Sequence, residues 1–153
     1  MKIFITVGTT RFDSLVEAAS HLPFDDMFIQ HANPLIEDRI INGTSFTEHI
    51  DKYYKSADVI ITHAGAGSIY RLLEMGKKII VVPNLERLDQ HQKDISEYVE
   101  NNGYCMVLWD IELLAKYIVD SESFKPNIYI KQPFFKADEI CEIILKSEPK
   151  RKK

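Results

Sequence analysis

Apolar positions recur along this chain with two periods. Residues 2–7 (KIFITV) form an apolar-rich run ending at Gly8, the pattern of a strand. In residues 13–20, Leu15, Val16 and Ala19 are spaced to share one helical face. Residues 27–31 predict a second strand and 39–42 a third. Residues 46–56 predict a helix that Thr47 can cap, with Ile50, Tyr53 and Tyr54 at helical spacing. Residues 58–62 (DVIIT) are a continuous apolar run, as expected of a strand buried on both faces. A helix over 68–75 follows, stopped at Gly76, where a left-handed residue fits. Residues 78–82 predict a strand closed by Pro83. Asp89 caps a helix running to about residue 101 and ending at Gly103. A strand over 104–109 and a helix over 111–119 come next. Residues 121–133 hold two prolines and look irregular. A closing helix over 137–146 has Ile140, Ile143 and Ile144 on one face.

Strands alternating with helices predict an α/β fold: a single Rossmann-like, doubly wound, mostly parallel sheet with helices on both faces. The expected division is one domain over residues 1–146 and a tail over 147–153. Ligands of such folds sit at the carboxyl ends of the strands, near a topological switch point. Three loops therefore matter most: 8–12, 63–68 and 84–92. Each follows a predicted strand and leads into a predicted helix.

The loop HAGAGS, residues 63–68, is the most informative. Gly65 and Gly67, with Ala66 between them, let a backbone approach a ligand closely. Ser68 opens a helix whose free N–H groups and positive dipole end favour an anion, and His63 can donate to the same anion. The sum is a diphosphate site; the same residues also suit a tight turn with a capping serine. The spacing fits a dinucleotide fingerprint poorly, because its third small residue would fall at Tyr70. The first loop offers the hydroxyls of Thr9 and Thr10 after Gly8, either a second phosphate wall or a helix-capping turn. In the third loop Asp89, Gln90, His91 and Gln92 cluster at a helix start. Such carboxylate and carboxamide groups suit sugar hydroxyls, and equally a capped, solvated helix end. No third ligand accompanies His63 and His91, so no metal site is expected. Ser68, in AGSIY, lacks the second glycine of a nucleophile elbow. His21, His31 and His49 read as structural or surface residues.

Composition narrows the class further. Of 153 residues, 45% are apolar and 27% charged, ordinary for a globular domain and wrong for a disordered chain or a disulfide scaffold. No apolar run approaches the roughly 18 residues of a membrane span. The opening MKIFITVGTT has no signal-region pattern, so secretion is not expected. Cys105 and Cys141 lie far apart in apolar company and read as reduced core residues. The net charge of −4 is unevenly placed. The last eight residues, KSEPKRKK, carry a local +4 and the other 145 carry −8, which argues against a broad nucleic-acid surface. The tail is either a solvated terminus or a contact for an anionic membrane.

The run DVIITHAGAGSIYRLLEMGKKIIVVPN, followed by DQHQ, resembles the C-terminal, donor-binding half of family 28 glycosyltransferases. The opening FITVGTTRFDSLV resembles the start of that family's stand-alone members. These include small soluble subunits of split N-acetylglucosamine transferases and relatives in bacterial exopolysaccharide and capsule assembly. The resemblance covers about residues 2–118. It implies one GT-B half that binds a UDP-sugar without metal or other cofactor. It implies that His63 lies by the diphosphate and that Gly65, Gly67 and Ser68 contact the phosphates. Asp89, His91 and Gln92 would bind the donor sugar, and Gly8 to Thr10 would line the cleft. The implied activity is inverting transfer of a hexose or N-acetylhexosamine to a lipid-linked acceptor. Family members usually carry an acid eight residues after the histidine, on the ribose; this chain has Arg71 there, with Glu74 one turn on as a substitute.

A two-domain enzyme needs a second half, and this length holds one. The expected partner is a membrane-anchored, acceptor-binding subunit that keeps this chain cytoplasmic, at the inner face of the membrane. An exposed apolar face, visible as homodimerisation of the isolated chain, would accompany that arrangement. The alternative is a non-catalytic subunit that retains the fold.

Overall fold

In a computed structural model, described over residues 1–85 and 90–131, six strands form one all-parallel sheet. The elements run β1 (Ile3–Thr6), α1 (Asp13–Ser20), β2 (Met27–Gln30), β3 (Gly43–Thr44), α2 (Ile50–Ser56), β4 (Val59–His63), α3 (Ala66–Glu74), β5 (Lys78–Val82), α4 (Gln90–Asn101), β6 (Met106–Val107) and α5 (Leu114–Asp120). Short 3-10 turns cover Pro34–Arg39 and Ile111–Leu113. The strand order is β3-β2-β1-β4-β5-β6. β1 is central, paired with β2 from Ile3↔Met27 to Thr6↔Gln30 and with β4 from Ile3↔Val59 to Thr6↔Thr62.

The period of two in the strands divides the core. Ile3, Ile5, Val59, Ile61, Ile80 and Val82 meet α1 and α5 through Leu15, Val16, Leu114 and Ile118. Phe4, Ile60, Ile79 and Val81 face the other way, onto Tyr54 of α2, Ile69 and Leu72 of α3 and Val99 of α4. Both sheet faces are thus covered, which is why β1, β4 and β5 read as unbroken apolar runs. Truncating Ile61, which is fully buried, would cost about 2–5 kcal/mol.

Several boundaries differ from expectation. The strand expected over 39–42 lies instead at Gly43–Thr44. Asn33 accepts from the Leu35 amide at 3.2 Å and Pro34 follows, so a 3-10 turn consumes the preceding residues. A side chain at Gly43 would stand 2.7 Å from the Ile29 carbonyl, so a glycine permits this close pairing with β2. α2 begins at Ile50 rather than near residue 46, and Thr47 Oγ1 closes a turn with the His49 amide at 3.1 Å. α3 begins two residues early, at Ala66. It ends as expected, with Gly76 at φ +64° and the Lys77 and Gly76 amides bonded back to Leu72 and Leu73 at 3.0 Å. β6 is shorter than the strand expected over 104–109. The helix expected over 111–119 opens as a 3-10 turn that Asp110 caps through the Glu112 amide. The helix expected over 137–146, Cys141 and the basic tail lie outside the described residues. Among the described residues no helix is long and apolar enough to cross a membrane.

Candidate functional site

The chain leaves β1 toward α1 on one face of the sheet and leaves β4 toward α3 on the other. β1 and β4 are neighbours, so their carboxyl ends bound the crevice at the switch point. His63 is the last residue of β4 and stands in that crevice. Two glycines make room for its ring. A Cβ on Gly8, which has φ +67°, would lie 2.7 Å from His63 Cε1, and one on Gly65 would collide with Nε2. Gly65 thus leaves room for the histidine ring. Gly67 is different: a Cβ there would meet nothing within 4 Å.

α3 starts with Gly65 as N-cap and no capping side chain. Ala66, Gly67 and Ser68 form its first turn, whose N–H groups have no partner within the helix. This is a ready-made place for an anion. Two hollows flank it. A cleft of about 290 Å³ is lined by Thr10, Phe12, His63, Gly65 and Ala66, with Asn84, His91 and Gln92 across from them. A second hollow of about 280 Å³ is lined by Gly8, Thr9, Gly67 and Ser68, with Phe46, Tyr54 and Arg71 completing its wall.

Burial pushes the His63 imidazole below its ordinary value of 6.5, and the Thr6 backbone partly offsets this. Its Nδ1 is buried and closes no hydrogen bond of normal geometry. At neutral pH the ring is therefore uncharged, able to donate one hydrogen bond. Tyr54 is buried beside Ser68; burial raises its phenol above the usual range, and the Ser68 side chain pulls the other way. Gln92 Oε1 accepts from the Asn84 amide at 3.0 Å, tying the start of α4 to the end of β5.

The structure therefore brings Gly8, Thr9, Thr10, His63, Gly65, Ala66, Gly67, Ser68, His91 and Gln92 to one edge of the sheet. Asp89 lies outside the described residues. Glu74 is elsewhere: it pairs with Lys131 at 2.9 Å and lines a hollow with Tyr70 and Tyr129. It does not stand in for the acid missing at position 71. Arg71 itself pairs with Asp51 of α2 at 2.6 Å. Sequence reasoning passed over Asn84, Phe46, Tyr54 and Gln30. Gln30 left a signal, a lone polar residue closing the apolar strand MFIQ. Among the described residues no three His, Cys, Asp or Glu side chains gather as metal ligands.

The glycosyltransferase family 28 C-terminal domain matches residues 23–139. The chain belongs to this family. Within the family's reach, the human UDP-N-acetylglucosamine transferase subunit ALG13 is 30% identical over 118 residues, covering 67% of this chain and 10% of the human protein. The Candida albicans subunit of that name is 33% identical over 88 residues, 58% of this chain and 30% of that protein. The chain thus spans less than a third of either relative. Acinetobacter baumannii MurG shares the fold, with a TM-score of 0.65 at 19% identity over 95% of this chain and 49% of that one. The α/β architecture expected for one half of a GT-B transferase is the one observed. The exopolysaccharide and capsule setting finds no support in these relatives: the human and Candida albicans proteins are both named as subunits of a UDP-N-acetylglucosamine transferase.

Proposed function

We propose that this chain is the donor-binding, catalytic half of a UDP-sugar-dependent glycosyltransferase. The observation that carries the reading is the uncapped start of α3, set beside His63 and between two hollows at the switch point. A diphosphate fits the N–H groups of Ala66, Gly67 and Ser68, where the helix dipole favours negative charge. Phe46 and Tyr54 give the second hollow aromatic surface for a flat base. The sugar then falls in the first cleft, against His91 and Gln92, with Asp89 added by the family resemblance. It is a hexose or an N-acetylhexosamine, and the relatives' names favour N-acetylglucosamine.

The transfer is a direct, inverting displacement. The acceptor oxygen bonds the sugar's anomeric carbon as the bond from that carbon to the diphosphate oxygen breaks. The electron pair leaves with UDP, and the acceptor hydroxyl gives up its proton. Growing charge on the diphosphate is met by the α3 N–H groups and by neutral His63 as a donor. The chain's own donors take up that charge, so the proposal includes no metal and no further cofactor.

The acceptor, a lipid-linked saccharide, would be presented by a membrane-anchored partner subunit. Such a partner would hold this chain at the inner, cytoplasmic face of the membrane. Leu35, Phe46 and Leu85, which follow β2, β3 and β5, are exposed by 83%, 64% and 62% around the site edge and support docking there.

The test is thermal unfolding of the purified chain with UDP, UDP-N-acetylglucosamine, UDP-glucose and NAD, with and without EDTA. At a hundred times its dissociation constant a ligand adds about 2.7 kcal/mol. The expected shift is specific to uridine nucleotides and resistant to EDTA. A shift with NAD alone, or one abolished by EDTA, overturns the reading. Arg71, held by Asp51 where the family resemblance places an acid, favours a second reading: a non-catalytic subunit that keeps the fold. The chain in complex with its partner would then show no shift with UDP.

A further inference from the structure

Gln30 is a buried polar residue at the carboxyl end of β2, only 3% exposed. Its carboxamide is fully used. Oε1 accepts from the Thr6 hydroxyl at 2.6 Å. Nε2 donates to the Gly8 carbonyl at 2.9 Å and to the Ser45 carbonyl at 2.8 Å. The orientation is chemically forced, because a flipped amide would set its oxygen against two carbonyl oxygens. Thr6 Oγ1 in turn accepts from the Gly8 amide at 3.2 Å. Gly8 is therefore held at both its N–H and its carbonyl, in a left-handed conformation, directly against the His63 ring. Ser45 immediately precedes Phe46 and Thr47, which line the second hollow together with Gln30. One side chain thus ties the loop after β1 to the loop after β3.

We propose that Gln30 is a positioning residue for the donor site: through Gly8 it fixes the His63 ring, and at Ser45 it adds to the holds that Ala32 and Glu37 already place beside the Phe46–Thr47 wall. A hydrophobic residue of similar size would take the Nε2 donor from the Gly8 carbonyl and the acceptor from the buried Thr6 hydroxyl, so Gly8 would be free to shift. Ser45 would keep its bonds from the Ala32 amide and to the Glu37 carboxylate. The effect on nucleotide affinity rests on the proposed function; the effect on His63 does not.

The experiment follows Gln30→Met and Thr6→Ser against the wild-type chain. Nuclear magnetic resonance reads the titration of the His63 ring, calorimetry reads UDP affinity, and thermal unfolding confirms that each variant is folded. In Gln30→Met the His63 titration should move up toward that of an ordinary imidazole, as water reaches the loosened ring, and UDP affinity should fall about tenfold. Thr6→Ser keeps the hydroxyl and should leave both unchanged. If Gln30→Met does not fold, Thr6→Val, which removes only the hydroxyl between Gly8 and Gln30, takes its place with the same expectations. Folded variants whose His63 titration matches wild type overturn the proposal. So does a moved titration with unchanged UDP affinity, in a wild-type chain that binds UDP. A wild-type chain that ignores UDP while Gln30→Met moves His63 removes the donor reading and leaves the clasp on Gly8 standing.

Discussion

Two stretches only two residues apart in the same glycine-rich loop are built for opposite ends. Around His63 the protein packs on itself: Gly8 and Gly65 press on the ring from their two loops, with no space for even a methyl group. At Gly67 and Ser68 the first turn of α3 opens outward, and a Cβ on Gly67 would touch nothing within 4 Å. A glycine required by internal packing and a glycine that borders open space look identical in sequence. They differ in what fills the space that a Cβ would take.

That contrast makes its largest prediction at Gly8. Gly8→Ala combines a left-handed backbone with a clash on His63, and should lose about 2–4 kcal/mol of stability in a urea titration. A loss of only about 1–2 kcal/mol, the cost of the left-handed backbone alone, would mean that His63 moves aside without penalty. Gly67→Val should behave in the opposite way. Its unfolding midpoint should stay near wild type, while UDP affinity falls at least about tenfold as the side chain fills the position proposed for the diphosphate.

On the proposed function, His63→Ala should lower turnover of the chain with its partner more than it lowers donor affinity, because the ring would act on charge that grows during bond breaking. Equal losses would make it a simple binding residue. The same histidine gives a pH prediction. Burial holds its folded pKa below the unfolded value of 6.5, so the unfolded chain binds the extra proton first. Its contribution to stability is fully present above pH 6.5 and is lost as pH falls through the folded value. The slope of stability against pH below 6.5 should be shallower in His63→Ala than in wild type.

The smallest effect is expected at Arg71. Its ion pair with Asp51 joins side chains that are each about half exposed, so Arg71→Ala should change stability by less than about 1 kcal/mol. A tighter hold on UDP in that variant would show Arg71 hindering the nucleotide, and a weaker hold would show it helping.

Much of the architecture was legible because β1, β4 and β5 are buried on both faces and leave unbroken apolar runs in the chain. α1 and the stop of α3 were legible from spacing and from Gly76. The edge strand β3 was not, since two residues ending at a glycine carry no period and the Asn33–Pro34 turn displaced it. Loops after strands pointed to the crevice that holds the candidate site, because position in an open parallel sheet follows from topology. What stayed hidden came from elements distant in sequence: Gln30 from β2, Phe46 from the loop after β3, Tyr54 from α2. The role of Gly65 was hidden for another reason, since the atom it avoids belongs to its own near neighbour. Glu74 shows the limit of helical spacing: one turn from Arg71, it faces Lys131 and Tyr129 rather than the cleft.

The most direct test of the central claim, that α3 receives a nucleoside diphosphate, is calorimetric titration of UDP into the wild-type chain and into Gly67→Val. The account predicts saturable binding at one site per chain in wild type and at least about tenfold weaker binding in the variant, with unfolding midpoints that agree. Equal affinity in the two folded proteins would contradict it.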